Sequence, residues 1–229
     1  MKRYDGQVAV VTGASSGIGR RVARDLGFRG AIVVGVARRA ELLEQLREQL
    51  RTTSSRSDTV AFDVTDAEAF RACLAEIEQR YCRIDVLINN AGIYESTPAT
   101  EPCEQAYARL MATNFFAAVT STYTVLPGML RRGTGIIVNV SSDSARAPDA
   151  RGGGYAASKA ALATFSEGID LEVRKRGVCV HVLYPAWVPT AMGRPAVRRR
   201  GPVATGAVAG PEAGRATMSA MRGRCLILV

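Results

Sequence analysis

The chain has one histidine and one tryptophan in 229 residues, and aromatic residues make up only 6% of it. Its single imidazole, His181, falls in an alternating apolar segment, where a buried structural role fits better than catalysis. The five cysteines (Cys73, Cys82, Cys103, Cys179, Cys225) form no CxxC pair and leave an odd count. That pattern suits reduced thiols in a cytoplasmic protein better than a disulfide framework or a zinc site, and no metal is expected. Apolar runs are strand-sized, far short of the ~20 residues needed to span a bilayer. The opening Met1-Lys2-Arg3-Tyr4-Asp5-Gly6 meets a strand at once and shows no signal-peptide core, so no membrane association is expected.

Acidic residues are the scarcer charge, and the net charge is +9. The excess is local. From Arg194 to Val229 there are seven arginines and one glutamate, with no aromatic residue on which a base could stack. This speaks against nucleic-acid binding and for a soluble surface with a basic end. Hydrophobic residues at 47% and charged residues at 22% are ordinary for a globular chain of this length, which suits one large α/β domain.

Apolar runs alternate with helical periodicity. Strands are expected at Gln7–Thr12, Ala31–Val36, Thr59–Asp63, Asp85–Asn89, Gly135–Val140, Val178–Leu183 and Cys225–Val229. Helices are expected at Gly17–Phe28, Ala40–Arg51, Asp66–Tyr81, Glu104–Met129 and Tyr155–Arg176. Apolar strands each followed by a helix predict a doubly wound, Rossmann-type parallel sheet of about seven strands, covered on both faces. Its ligand crevice would lie beyond the carboxyl ends of the strands. Residues 1–193 read as the dinucleotide-binding and catalytic part, and 194–229 as an atypical substrate-lid segment rich in Arg, Gly, Ala and Pro.

The first strand runs into Thr12-Gly13-Ala14-Ser15-Ser16-Gly17-Ile18-Gly19. Glycines here permit a sharp turn and close approach of a pyrophosphate, whose charge the following helix N-terminus would meet. The same residues also spell the Gly-x-Ser-x-Gly of a nucleophile elbow. That reading fails on position, because an elbow needs strands and an oxyanion loop upstream.

Several motifs in order resemble the short-chain dehydrogenase/reductase family: Thr-Gly-x-x-x-Gly-x-Gly at the start, then Asn89-Asn90-Ala91-Gly92, Asn114, Ser142, and Tyr155 with Lys159. The resemblance runs from about Gly6 to Thr190. It implies a hydride transfer between a nicotinamide cofactor and a carbonyl or alcohol. Tyr155 would be the general acid/base, Ser142 would hold the substrate oxygen, Lys159 would assist Tyr155 and bind ribose, and Asn114 would serve a proton path. Ser141 is an alternative to Ser142, although family spacing favours Ser142. The cofactor set implied is Gly13, Ser15, Ser16, Gly17, Ile18, Gly19, Arg38, Arg39, Asp63, Val64, Asn90, Ala91, Gly92, Tyr155, Lys159, Pro185, Val188 and Thr190.

The second strand ends Ala37-Arg38-Arg39, with no acid to accept the adenosine ribose hydroxyls and two guanidinium groups able to grip a 2′-phosphate. NADP(H) is therefore expected over NAD(H), with Arg38 the better candidate. Tyr155 and Lys159, four apart at a helix start, share a face, and an adjacent ammonium is expected to lower the phenol's pKa. Gly152-Gly153-Gly154 suggest a pliable approach to that helix. Small residues along it (Ala156, Ala157, Ala160, Ala161, Ala163) permit close packing, and in similar proteins this helix lies at a subunit interface, so a homodimer or homotetramer is expected. The pattern breaks after the sixth strand, where Ala186 stands in place of the family's glycine and Pro189 removes a backbone donor. The alternative reading is a nucleotide-binding regulatory protein that keeps the fold without turnover.

Overall fold

The computed structural model describes residues 4–186. Six strands form one sheet in the order β3-β2-β1-β4-β5-β6. They are β1 (Val8–Thr12), β2 (Ile32–Ala37), β3 (Asp58–Ala61), β4 (Val86–Asn89), β5 (Gly135–Val140) and β6 (Val178–Leu183). Every pairing is parallel. The expected seventh strand, Cys225–Val229, lies outside the described residues, as does the whole 194–229 segment.

Connecting helices are α1 (Gly17–Phe28), α2 (Ala40–Arg51), α3 (Ala67–Tyr81), α4 (Glu104–Met111), α5 (Ala117–Arg132) and α6 (Gly153–Val173). Alternation along each strand divides the core into two layers. Ala9, Val11 and Val33 point to one face, where Val22 and Leu26 of α1 and Leu43, Leu46 and Leu50 of α2 cover them. Val8, Val10, Val34, Leu87 and Ile137 point to the other, against Phe70, Leu74 and Ile77 of α3 and Val125 and Met129 of α5. Strands buried on both faces read as unbroken apolar runs, which is why β1 and β2 are so plain in the sequence.

The chain builds outward from β1 to β3, then crosses back to place β4 on the other side of β1. This reversal leaves a crevice beyond the ends of β1 and β4, because the flanking crossovers turn to opposite faces. The long helix expected over Glu104–Met129 is interrupted. Between α4 and α5 the backbone widens into a π turn over Ala112–Phe116 centred on Asn114. Such a turn inserts one residue into the helical ladder and often marks a functional position.

Candidate active site

One cleft of about 500 Å³ opens along the carboxyl ends of the strands. Its first part is the loop after β1. Gly13 and Gly17 have φ of +66° and +56°, in the left-handed region that favours glycine. A Cβ on Gly13 would stand 2.8 Å from Asn90 Nδ2, and one on Gly19 only 2.5 Å from the Gly13 carbonyl oxygen. The loop is therefore bare backbone by necessity. The side chain of Ser16, at the N-cap of α1, makes no hydrogen bond to the helix N–H groups, and the first turn carries no acid. The helix thus leaves its N–H groups and positive dipole end free for an anion, which fits a dinucleotide phosphate.

Thr12 and Asn90 fasten this loop to the one after β4. The Thr12 hydroxyl accepts the backbone N–H of Asn90 and of Ala91, both at 3.0 Å. Asn90 Nδ2 donates to the Thr12 carbonyl at 3.0 Å. Asn90 thus spends its amide on shaping the loop while its residue lines the cleft.

At the end of β2 the two arginines do different things. Arg39 donates to the Ser15 hydroxyl at 2.9 Å and to that of Ser16 at 2.6 Å. Arg38 lies more open, 3.7 Å from Asp63. Burial opposes ionisation of Asp63, but the bonds from Thr65 and the charge of Arg38 outweigh it and hold the carboxyl below its ordinary pKa. Val64 lines the cleft and joins the core behind it.

The other end gathers Ser142, Tyr155 and Lys159, with Asn114 just behind. The two serines after β5 separate cleanly. Ser141 is buried and donates to the Lys159 carbonyl at 2.8 Å, tying β5 to α6. Ser142 lines the cleft beside Tyr155, and its hydroxyl donates to the Asp143 carboxylate at 3.0 Å. Lys159 is 4% exposed, and its ammonium donates to the Val140 carbonyl at 2.8 Å. Asn114 is 1% exposed and accepts the Ile93 N–H at 2.8 Å while donating to the Ile93 carbonyl and to Ser158. A Cβ on Gly92 would stand 3.1 Å from Asn114 Oδ1 and 3.4 Å from Lys159 Nζ, so this glycine is what lets the three elements meet.

Two expectations are corrected here. Burial raises the Tyr155 pKa above the ordinary phenol value, the negative charge of Asp143 adding to the rise and the neighbouring Ser142 hydroxyl opposing it. The ammonium does not reverse it, because Lys159 points at Val140 and stands 5.9 Å from the Tyr155 ring centroid. Burial instead acts on the lysine, whose pKa falls to about 8. The glycine approach is also anchored, not pliable. Thr97 holds it by accepting the Gly154 N–H at 2.9 Å and donating its own N–H to the Arg151 carbonyl at 2.8 Å.

Pro185 and Ala186 line the cleft, whereas Val188 and Thr190 lie outside the described residues. His181 is buried in β6 away from the cleft lining, and burial lowers its pKa. The sequence reading missed Phe62, Ile93, Tyr94, Thr113, Asp143, Ser144 and Asp149, all of which line the cleft. Tyr94 packs edge-on against Tyr155, with ring centroids 5.4 Å apart. Its position just after Asn-Asn-Ala-Gly, at a strand end, was the available signal. Among the described residues no cluster of His, Cys, Asp and Glu could hold a metal ion, and no helix is long and apolar enough to cross a membrane.

Comparison with known proteins agrees with this geometry. The sequence profile of the short chain dehydrogenases matches residues 7–201. The chain belongs to the short-chain dehydrogenase family. It is 35% identical over 194 residues to a putative ketoacyl reductase of Streptomyces coelicolor, covering 84% of this chain and 74% of that one. Against dehydrogenase/reductase SDR family member 7B of Bos taurus the identity is 36% over 200 residues, covering 85% of this chain but only 62% of that protein. A solved structure of actinorhodin polyketide ketoreductase with NADPH superposes with a TM-score of 0.87 at 30% identity, covering 96% of this chain and 92% of the other. The chain is thus an oxidoreductase of this family on a Rossmann-like fold.

Proposed function

We propose that this protein reduces a ketone or aldehyde, or oxidises the matching secondary alcohol, with NADP(H) as its hydride partner. The observation that carries the reading is the continuity of one cleft from the bare glycine loop and Arg38/Arg39 to Ser142, Tyr155 and Lys159. A bound nicotinamide would supply or accept the hydride. Gly13, Ser15, Ser16, Gly17, Ile18 and Gly19 would hold its phosphates. Asp63 and Val64 would flank the adenine, and Asn90, Ala91, Gly92 and Pro185 would shape the path towards the reacting end, with Val188 and Thr190 beyond.

In the reductive direction Tyr155 donates its phenolic proton to the carbonyl oxygen while Ser142 hydrogen-bonds the same oxygen. In the oxidative direction Tyr155 takes the alcohol proton. A phenol held above its ordinary pKa keeps its proton at neutral pH and is a weaker acid than a free one, so release of that proton is coupled to hydride arrival at the carbonyl carbon. Lys159 and Tyr155 would bind the nicotinamide ribose, and Asn114 would serve a proton path from solvent for reprotonation. Reductases of ketoacyl and polyketide substrates among the relatives support a ketone substrate. NADP(H) over NAD(H) is supported by two arginines, and by no acid, at the end of β2.

We further propose a homodimer or homotetramer joined through α5 and α6. Phe116 at the end of the π turn and Tyr123 of α5 stand 55% and 58% exposed about two turns apart, and Tyr123 adjoins Phe165 of α6. A cytoplasmic location is supported by the four described cysteines, all free thiols. The alternative, a nucleotide-binding regulator without turnover, gains nothing from the described residues, since the four catalytic candidates are assembled. A titration with NADPH and NADH, followed by nucleotide fluorescence, tests the reading. NADPH should bind the more tightly, and failure of both to bind would end it.

A further inference from the structure

The loop after β4 leaves one exposed aromatic ring at the reacting end of the cleft. Residues 93–97 form neither helix nor strand, yet the neighbours of Tyr94 are all held. Asn114 takes both backbone groups of Ile93, at 2.8 and 3.0 Å. The Glu95 carboxylate accepts two parallel bonds from Arg109 of α4, at 2.9 and 2.7 Å. The Ser96 hydroxyl accepts from Arg151 Nε at 3.2 Å. Thr97 is bonded to Gly154 through its side chain and to Arg151 through its backbone. Tyr94 itself makes no hydrogen bond among the described residues. Its ring is 39% exposed and lines the cleft. A ring fixed by its neighbours needs no ordering when a ligand arrives, so the gain from contact is not lost to entropy.

Tyr94 and Tyr155 form a corner, with centroids 5.4 Å apart and ring planes crossing at 64°. A carbonyl whose oxygen reaches the Tyr155 hydroxyl carries its substituents into the space that Tyr94 bounds. A flat, unsaturated substituent gains edge-to-face or offset stacking beyond the area it buries, whereas a saturated one gains the area alone. We propose that Tyr94 is a specificity-determining residue that selects carbonyl substrates bearing an aromatic or similarly flat, unsaturated group on the carbonyl carbon. This rests on the reading of Tyr155 as the group that meets the carbonyl oxygen.

The rest of the described lining agrees. Three aromatic residues line the cleft, Phe62, Tyr94 and Tyr155. Phe62 stacks on Phe70 of α3 and adjoins Asp63 and Val64, far along the chain from the reacting end. Tyr155 is occupied with the proton. The lining from the turn after β5 is polar (Ser142, Asp143 and Ser144), which leaves Ile93 and Tyr94 as the wall for an apolar substituent.

The test is equilibrium binding of two ketones matched in size, para-fluorophenyl methyl ketone and its fluorocyclohexyl counterpart, followed by fluorine-19 NMR. Titrations are made on the free protein and with saturating NADP+, with which a ketone cannot react. Wild type should bind the aryl ketone about threefold to tenfold more tightly than the cyclohexyl ketone. Tyr94→Phe should keep that ratio. Tyr94→Leu retains an apolar wall without a ring and should bring the ratio to about one, as should Tyr94→Ala. A ratio near one in the wild type overturns the proposal, as does a ratio unchanged in Tyr94→Leu and Tyr94→Ala. Absence of measurable aryl-ketone binding to both forms overturns it too. No step needs turnover. A Tyr94-dependent preference without any NADPH oxidation would strike the hydride-transfer reading alone, and ketone reduction without that preference would strike this inference alone.

Discussion

Arg39 lays its guanidinium across the hydroxyls of Ser15 and Ser16, 2.9 Å from the first and 2.6 Å from the second. Two segments far apart in sequence thereby form one positively charged wall beside the glycine loop, and Arg38 extends it towards Asp63. A 2′-phosphate meeting such a wall gains charge-assisted bonds that a 2′-hydroxyl does not. Arg39→Ala should therefore weaken NADPH binding by roughly tenfold to a hundredfold, at about 1.5–3 kcal/mol for the bonds lost. NADH binding should change by less than about threefold, because it makes no such bonds. Arg38→Ala should act in the same direction. Fluorescence titration of each variant with both nucleotides decides the point, and equal weakening of both would show that the arginines only shape the loop.

Lys159 is a buried cation in the free protein, and its pKa of about 8 measures what that burial costs. A depression from 10.5 corresponds to about 3 kcal/mol, at roughly 1.4 kcal/mol per unit. The folded pKa lies below the unfolded one, so the unfolded chain binds more protons between about pH 8 and 10.5. The penalty is thus fully present below about pH 8, and stability from this site rises with pH through that window. Lys159→Met should stabilise the free protein at pH 7 by about 1–3 kcal/mol while weakening function, with the gain vanishing towards pH 10.5. Urea unfolding midpoints at both pH values check this. A variant less stable at pH 7 would mean that the bond to Val140 outweighs the desolvation.

Asn114 holds the π turn to the loop after β4 through two hydrogen bonds with Ile93 and to α6 through a third with Ser158, all from a side chain that is almost wholly buried. Asn114→Ala leaves the Ile93 N–H and carbonyl without these partners, a cost of about 2–3 kcal/mol. It should also lower kcat more than it raises the Kd for NADPH, because the glycine loop is untouched. Stability and kinetics measured on one preparation separate the two effects. A loss of stability with full kcat would make Asn114 a purely structural residue.

Most of the described sheet was readable in the sequence because its inner strands are apolar on both faces, and α1 and α2 match their expected limits. The partly exposed edge strand β3, Asp-Thr-Val-Ala, instead begins and ends earlier than the expected Thr59–Asp63. Gly13, Asn90 and Ser142 line one cleft because each follows a strand, and Tyr155 joins them from the first turn of α6. What sequence could not show depends on wider packing. The π turn is a backbone adjustment inside an unbroken helical pattern, fixed by the bonds of Asn114 to Ile93 and Ser158. The direction of the Tyr155 shift depends on burial and on where Lys159 points, neither of which a four-residue spacing contains. Ser141 and Ser142 look interchangeable in sequence, and only the approach of α6 to β5 commits one of them to the Lys159 carbonyl.

The central claim is that Tyr155 passes a proton as hydride moves between NADP(H) and a carbonyl carbon. The most direct measurement is NADPH consumption over a panel of ketones, aldehydes and 3-ketoacyl thioesters, with wild type and Tyr155→Phe side by side. At least one carbonyl should be reduced by the wild type. Tyr155→Phe should lose about a hundredfold or more in kcat while binding NADPH within about twofold of the wild type. Turnover that survives in Tyr155→Phe, or wild-type protein that binds NADPH and reduces nothing on the panel, would contradict the account.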